Sequence, residues 1–285
     1  ILETSIQSIV SRHEILRTLI KEDIEGNGYQ LVLDNKEYPL EIAKIGVKNQ
    51  IELEQEFSKN INYIYDLSKE YPIRVWLYKL VAINNQEKPE YYLSINIHHI
   101  AFDGWSLDIL LKELQAYYHY HLSQAQGIES ELRLLELSIQ YKDFVLWQRN
   151  YLSGERLDKQ LNYWKEKLDG YETLNLVTDK LRPSRIDYSG SYIHFEIEES
   201  TSNKLRELAK ELKVSLYSLL LSGYYLMLRA YSNQNDIVIG VPIANRHYKQ
   251  VENLIGFFVN TLILRCQIDP QESIKELTKK VGRNV

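Results

Sequence analysis

The apolar residues of the chain first recur at helical spacing. Ile6, Ile9, Val10, His13 and Leu16 or Arg17 follow steps of three and four, so the chain opens on a helix that closes over Arg12–Thr18. Short strands are expected at Tyr29–Leu33 and Tyr38–Ile45, joined by Asp34-Asn35-Lys36, and then a helix over about Asn49–Asn60. Pro72–Ile83 reads as a strand, Asn84–Glu90 as a turn and Tyr91–His99 as the returning strand of an antiparallel hairpin. In that last strand Leu93, Ile95 and Ile97 alternate with Ser94 and Asn96. The same parity points His99 inward and His98 the other way. Gly104 breaks the strand, and Asp103 is placed to cap a helix carrying Leu107, Leu110, Leu111, Leu114, Tyr117 and Tyr118 as its apolar stripe.

Further on, Leu137–Tyr151 and Leu161–Leu168 read as helices, and Asp169-Gly170 ends the second. The segment up to Gly190, with Arg182-Pro183-Ser184, is loop-like and sets the boundary between two lobes, 1–170 and 171–285. The second lobe is expected to hold a strand at Tyr192–Ile197 and a helix to Leu212 capped by Ser200 or Thr201. A buried helix follows, capped by Ser215 and running to Tyr231. Strands at Asp236–Ile243 and Leu254–Arg265 and a helix from Ser273 to Val281 complete it. The order is a mixed α/β (α+β) plan rather than a βαβ repeat, with no G-x-G-x-x-G or phosphate-binding loop.

Composition narrows the class of partner. The chain is 44% apolar and 26% charged, as ordinary globular proteins are. Its net charge of −5, without a long basic run, argues against nucleic acid or an anionic membrane as the main partner. A single cysteine, Cys266, forbids an intrachain disulfide framework. No apolar run approaches a membrane span, and no signal peptide is visible, so a reducing, cytoplasmic setting is expected. The chain has no Met start and opens in mid-helix pattern, and is expected to be a piece of something longer. The histidines outside the central stretch (His13, His119, His121, His194 and His247) are scattered, so no metal site is expected.

The chemistry concentrates in His98-His99-Ile100-Ala101-Phe102-Asp103-Gly104. An imidazole at a strand end can take a proton from a nucleophile or hold it by a hydrogen bond. Asp103 either bonds His99 or holds the loop shut against an arginine, since a buried unpaired carboxylate is very costly. The plainer alternative is a satisfied core histidine and a helix cap. Phe144, Trp147 and Trp164 lie at helical spacing and are read as core packing rather than as a ligand box.

Four motifs, in order, resemble those of condensation domains of nonribosomal peptide synthetases, within the superfamily that includes chloramphenicol acetyltransferase. They are Arg12-His13-Glu14-Ile15-Leu16-Arg17-Thr18, the His-His-x-x-x-Asp-Gly stretch at 98–104, Tyr141-Lys142-Asp143-Phe144-Val145-Leu146-Trp147-Gln148, and Ile255-Gly256-Phe257-Phe258-Val259-Asn260-Thr261. The family's first motif and its last two are absent. The resemblance implies two chloramphenicol-acetyltransferase-like lobes forming a V with a central channel, incomplete here, and His99 midway along that channel.

It also implies amide formation between an upstream carrier-bound acyl or peptidyl thioester and the amino group of a downstream carrier-bound aminoacyl thioester. Both substrates would arrive on phosphopantetheine arms, with no cofactor bound directly. The implied partners are upstream and downstream peptidyl carrier domains and an adenylation domain in the same or an adjacent chain. His99, Asp103 and Gly104 are the implied catalytic set, with the Gly104 N–H at a helix start helping an oxyanion. His98 is structural, Arg12 is the expected ion-pair partner of Asp103 with Arg246 competing, Arg17 braces the region, and Asn260 lies near the channel. Three alternatives remain: a non-catalytic docking module of the same fold, a free acyltransferase using coenzyme A, and an epimerisation domain. The last usually lacks the Phe-Val-Asn-Thr string. Heterocyclisation domains carry aspartate at the signature histidines, so His98 and His99 exclude that reading.

Overall fold

The computed structural model describes residues 1–80, 89–181, 183–187 and 190–285. They group into two units. One comprises Ile1–Ser153 with Ala244–Asn260, the other Gly154–Ile243 with Thr261–Val285. The division differs from the one expected at 170. The helix at Gly154–Leu168 belongs with the second unit, and 244–260 returns to the first because its buried side chains pack there.

The first unit is built on a three-stranded sheet of β3 (Ile42–Val47), β4 (Ile73–Leu80) and β5 (Glu90–Ile97), with β4 central, parallel to β3 and antiparallel to β5. The strands alternate as half-buried strands must. Ile73 and Val75 join a core with Ile6, Ile9 and Val10 of α1 (Leu2–Arg12) and Ile109 and Leu110 of α3 (Gly104–Ala125). Trp76 and Tyr78 face the other way and pack on Leu53 of α2 (Gln50–Ile61). Asn49 caps α2 by accepting from the Glu52 N–H.

A separate ribbon pairs β1 (Thr18–Glu22) with β2 (Gly28–Val32), antiparallel. Of the two short strands expected at Tyr29–Leu33 and Tyr38–Ile45, the first thus pairs with Thr18–Glu22, and the second starts only at Ile42, in the three-stranded sheet. The opening helix stops at Arg12, and a 3-10 turn over Glu14–Arg17 frees Thr18–Glu22 to become the partner strand. The β4–β5 hairpin forms as expected. The end of its first strand and most of its turn fall on 81–88, outside the described residues. The apolar face of α3 is also rotated from expectation. Ser106, Ile109, Leu110 and Glu113 are buried, whereas Leu107, Leu111 and Tyr118 are exposed. Helix α4 (Tyr141–Tyr151) packs Phe144 against Val251, Leu254 and Phe258.

The second unit contains α5 (Gly154–Leu168), α6 (Glu199–Leu212), α7 (Leu216–Ser232), β6 (Asp236–Ile243), most of β7 (Asn260–Gln267) and α8 (Ile274–Asn284). β6 pairs with β7, and Tyr225 and Leu228 of α7 meet Ile237, Cys266, Leu277 and Val281 in one core. Ser215 caps α7, and Ser273 with Glu276 forms a capping box on α8. The cap expected of Ser200 or Thr201 is absent: α6 starts at Glu199, which leaves both inside its first turn. Tyr192–Ile197 alternates but forms no ladder among the described residues and is exposed. The strand expected over Leu254–Arg265 begins only at Asn260. Among the described residues no helix is long and apolar enough to cross a membrane, and no group of three or more His, Cys, Asp and Glu side chains is arranged to hold a metal ion.

Candidate active site

Strand β5 ends at Ile97, so the alternation that would have turned His99 inward does not reach it. The His98 N–H makes a last cross-strand bond to the Pro72 carbonyl at 2.7 Å. His98 then caps a 3-10 turn over His99–Ala101, its Nδ1 accepting from the Ile100 N–H at 3.1 Å. His98 thus holds the turn, and His99 is exposed rather than buried.

His99 is nonetheless fixed on two sides. Its Nδ1 lies 2.5 Å from the Phe102 carbonyl. A carbonyl only accepts, so Nδ1 carries a proton and, in the neutral ring, Nε2 is the nitrogen that holds the lone pair. The imidazole also meets the Phe257 ring edge to face, with centroids 5.1 Å apart. The result is an oriented imidazole presenting a basic nitrogen at the exposed end of a strand.

Asp103 does not touch His99. It is 3% exposed and caps α3, its Oδ1 accepting from the Ser106 N–H at 2.9 Å and the Ser106 hydroxyl at 2.7 Å. Oδ2 accepts from the Phe258 N–H at 3.0 Å, and both oxygens receive Arg246 Nη2, at 3.0 and 3.2 Å. Burial alone would raise the carboxyl pKa. The bonds from Ser106 and the Phe258 N–H, with the Arg246 charge, outweigh it and hold Asp103 below the usual carboxylate range. Asp103 is thus a positioning residue for the loop that carries His99.

The ion-pair expectation is corrected here. Arg246, not Arg12, is the partner of Asp103. Arg246 also donates to the Val251 and Leu254 carbonyls at 2.6 and 2.7 Å and lies 4.0 Å from the Phe258 ring centroid. Arg12 binds Glu113 Oε1 at 2.9 Å instead, because α1 packs directly on α3. Glu113 Oε2 meets His13 Nε2 at 2.8 Å, and His13 Nδ1 accepts from the Ile255 N–H at 3.3 Å. Arg17 lies apart from this cluster, donating to the Leu33 carbonyl at 2.5 Å. Asn260 is exposed and opens β7, at the point in the chain where the first unit gives way to the second.

Gly104 starts α3. A Cβ there would meet no atom within 4 Å, so packing within the chain does not require glycine at this position.

Three members of this buried network were given no role from the sequence: His13, Ser106 and Glu113. Glu113 had a signal, since a carboxylate one turn from Ile109 and Leu110 on a buried helix face needs a partner. Together these side chains shape the 254–258 segment. Its N–H groups at Ile255, Gly256 and Phe258 bond to His13, Ser106 and Asp103, and its Leu254 carbonyl accepts from Arg246. Backbone groups that a strand would pair with another strand are satisfied here by buried side chains, so the segment is irregular.

Comparison with known proteins places this geometry. A family model described as a condensation domain matches residues 1–285. The N-(5-amino-5-carboxypentanoyl)-L-cysteinyl-D-valine synthase of Amycolatopsis lactamdurans is 37% identical over 282 residues, covering 99% of this chain and 7% of that protein. The malpinin synthetase of Mortierella alpina is 34% identical over 288 residues, covering 99% of this chain and 4% of that protein. The chain thus spans a small fraction of these curated relatives. Among solved structures, the X-domain from teicoplanin biosynthesis superposes with a TM-score of 0.86 at 23% identity, covering 100% of this chain and 61% of that one. The mixed α/β arrangement is accordingly that of the condensation-domain, chloramphenicol-acetyltransferase-like fold.

Proposed function

The chain belongs to the condensation-domain family of nonribosomal peptide synthetases, and from this we infer that it joins two carrier-bound substrates by an amide bond. The neutral amine of the downstream aminoacyl thioester attacks the carbonyl carbon of the upstream thioester. The C–N bond forms and the C–S bond breaks. The nitrogen loses a proton, and the departing sulfur leaves as a thiol. The observation that carries the reading is the orientation of His99: Nδ1 bound to the Phe102 carbonyl leaves Nε2 as an available base. Nε2 orients the amine and relays its proton to the leaving thiolate. The Gly104 N–H, at the start of α3, faces the developing oxyanion.

Magnitudes rank these contributions. A free α-amino group has a pKa of about 7.7–8.0, so an appreciable fraction is neutral near pH 7, and a thioester is already activated. General base catalysis contributes about 10²–10⁴-fold. Aligning two tethered reactants is worth effective molarities of about 10⁵–10⁸ M. Positioning therefore outweighs proton relay. In this reading the substrates arrive on phosphopantetheine arms of carrier domains, an adenylation domain loads them, and the setting is cytoplasmic.

The test loads one carrier with an acyl thioester and a second with an aminoacyl thioester, adds the full-length protein, and reads the downstream carrier by mass. An amide-linked product supports the reading. Inversion at the α-carbon without a new amide would reassign the chain to epimerisation. Carrier or tailoring-enzyme binding without any product would make it a docking module.

A further inference from the structure

Within the first unit, a cavity of about 480 Å³ opens beside the turn that carries His99, and the mechanism above does not use it. Its apolar wall includes Ile20, Ile100, Val145 and Leu146. Ile100 follows His99 on the same 3-10 turn, so cavity and imidazole share one short piece of backbone. Tyr141 closes a second link. It lines the cavity, and its hydroxyl donates to the Phe257 carbonyl at 2.8 Å, while the Phe257 ring abuts His99. Burial pushes the Tyr141 pKa up to about 12, so that donor stays neutral.

The charge of the cavity has one sign. Its two ionisable side chains besides the tyrosines are the cations Lys142 and Arg149, seven residues apart and so on one face of α4. Lys142 is committed to Glu14 at 2.6 Å, and Arg149 is exposed. No carboxylate lines the cavity among the described residues.

We propose that this cavity is an acyl-chain subsite: it takes an apolar chain of the substrate, neutral or acid-ended, and disfavours an amine-ended one. The assignment rests on the condensation reading. An apolar chain leaves water on entering such a wall. A terminal carboxylate meets Arg149, whereas a terminal ammonium meets the like charge of the same guanidinium, Lys142 being compensated by Glu14.

The test is equilibrium titration of the full-length protein with three unreactive thioethers of pantetheine: S-octyl, S-(7-carboxyheptyl) and S-(8-aminooctyl). The wild type binds the first two about tenfold or more tighter than the third. Leu146 is 62% exposed, so Leu146→Asp leaves the core intact. It weakens S-octyl binding by about tenfold. Arg149→Glu reverses the order of the acid-ended and amine-ended chains. Equal binding of all three by the wild type, or an order unmoved by Arg149→Glu, overturns the subsite. Titration involves no chemistry, so the two readings fail separately. Amide formation with indifferent binding removes the subsite alone, and discriminating binding without amide formation removes the reaction alone.

Discussion

Asp103 and Arg246 show how a single buried pair can serve an exposed imidazole. Both side chains are almost entirely removed from water, 2% and 1% exposed, and neither touches His99. Removing one member of such a pair leaves the other charge buried without its partner, which costs about 3–5 kcal/mol. Arg246→Ala is therefore expected to destabilise by that amount in chemical denaturation. Arg12→Ala should cost less, about 1–3 kcal/mol, because Glu113 keeps its bond to His13. Equal losses from the two substitutions would contradict the assignment of partners. Asp103 also carries an acid dependence. Its folded pKa lies below its ordinary value of 3.8, so its contribution is fully present above that value. It is lost as the pH falls through the depressed folded value. Asp103→Asn should lower stability at neutral pH and narrow its gap to the wild type in acid. A gap constant down to pH 2 would show that the carboxylate charge is not what matters.

At the scale of elements, the segment 254–258 is held by the side chains of three other elements, and Gly256 is its tightest point. A Cβ there would run into the Tyr141 ring and lie 2.8 Å from Phe258 Cε2. Gly256→Ala is expected to destabilise by about 1–3 kcal/mol, through overpacking rather than backbone strain. Through Tyr141 and Phe257 it should also lower the rate of any reaction that uses His99, measured in single turnover on folded protein. Loss of stability with an unchanged rate would detach this segment from the site. The same segment marks where sequence reading stops. Its apolar run imitates a strand, because nothing local reveals that its N–H groups go to His13, Ser106 and Asp103. Elements defined by near neighbours were legible: the Asp103 and Ser215 caps and the β4–β5 pairing. The burial of α7 was overread from its continuous apolarity: one face packs through Leu221, Tyr225 and Leu228, whereas Tyr217, Leu220, Tyr224 and Met227 are exposed. The partner of Asp103 was not, since Arg246 lies 143 residues away and two arginines suited the same carboxylate. The ribbon strand Thr18–Glu22 was missed because it follows the opening helix with no Gly or Pro between them to mark a break.

For the whole molecule, each unit has its own core. The first unit carries His99, its Phe102 and Phe257 contacts and the Asp103–Arg246 pair. In the second, Arg265 binds Asp236 and the Lys167 and Asp169 carbonyls, tying β7 to β6 and to the end of α5. His99 itself is exposed and belongs to neither core, so substitutions there should leave global stability close to that of the wild type. The decisive experiment is single-turnover amide formation by the full-length protein with both carriers loaded, comparing wild type with His99→Ala. An imidazole acting as base makes His99→Ala slower by about 10²–10⁴-fold with folding intact. Equal rates would contradict that role, and would leave the tethering of the two substrates as the whole of the catalysis.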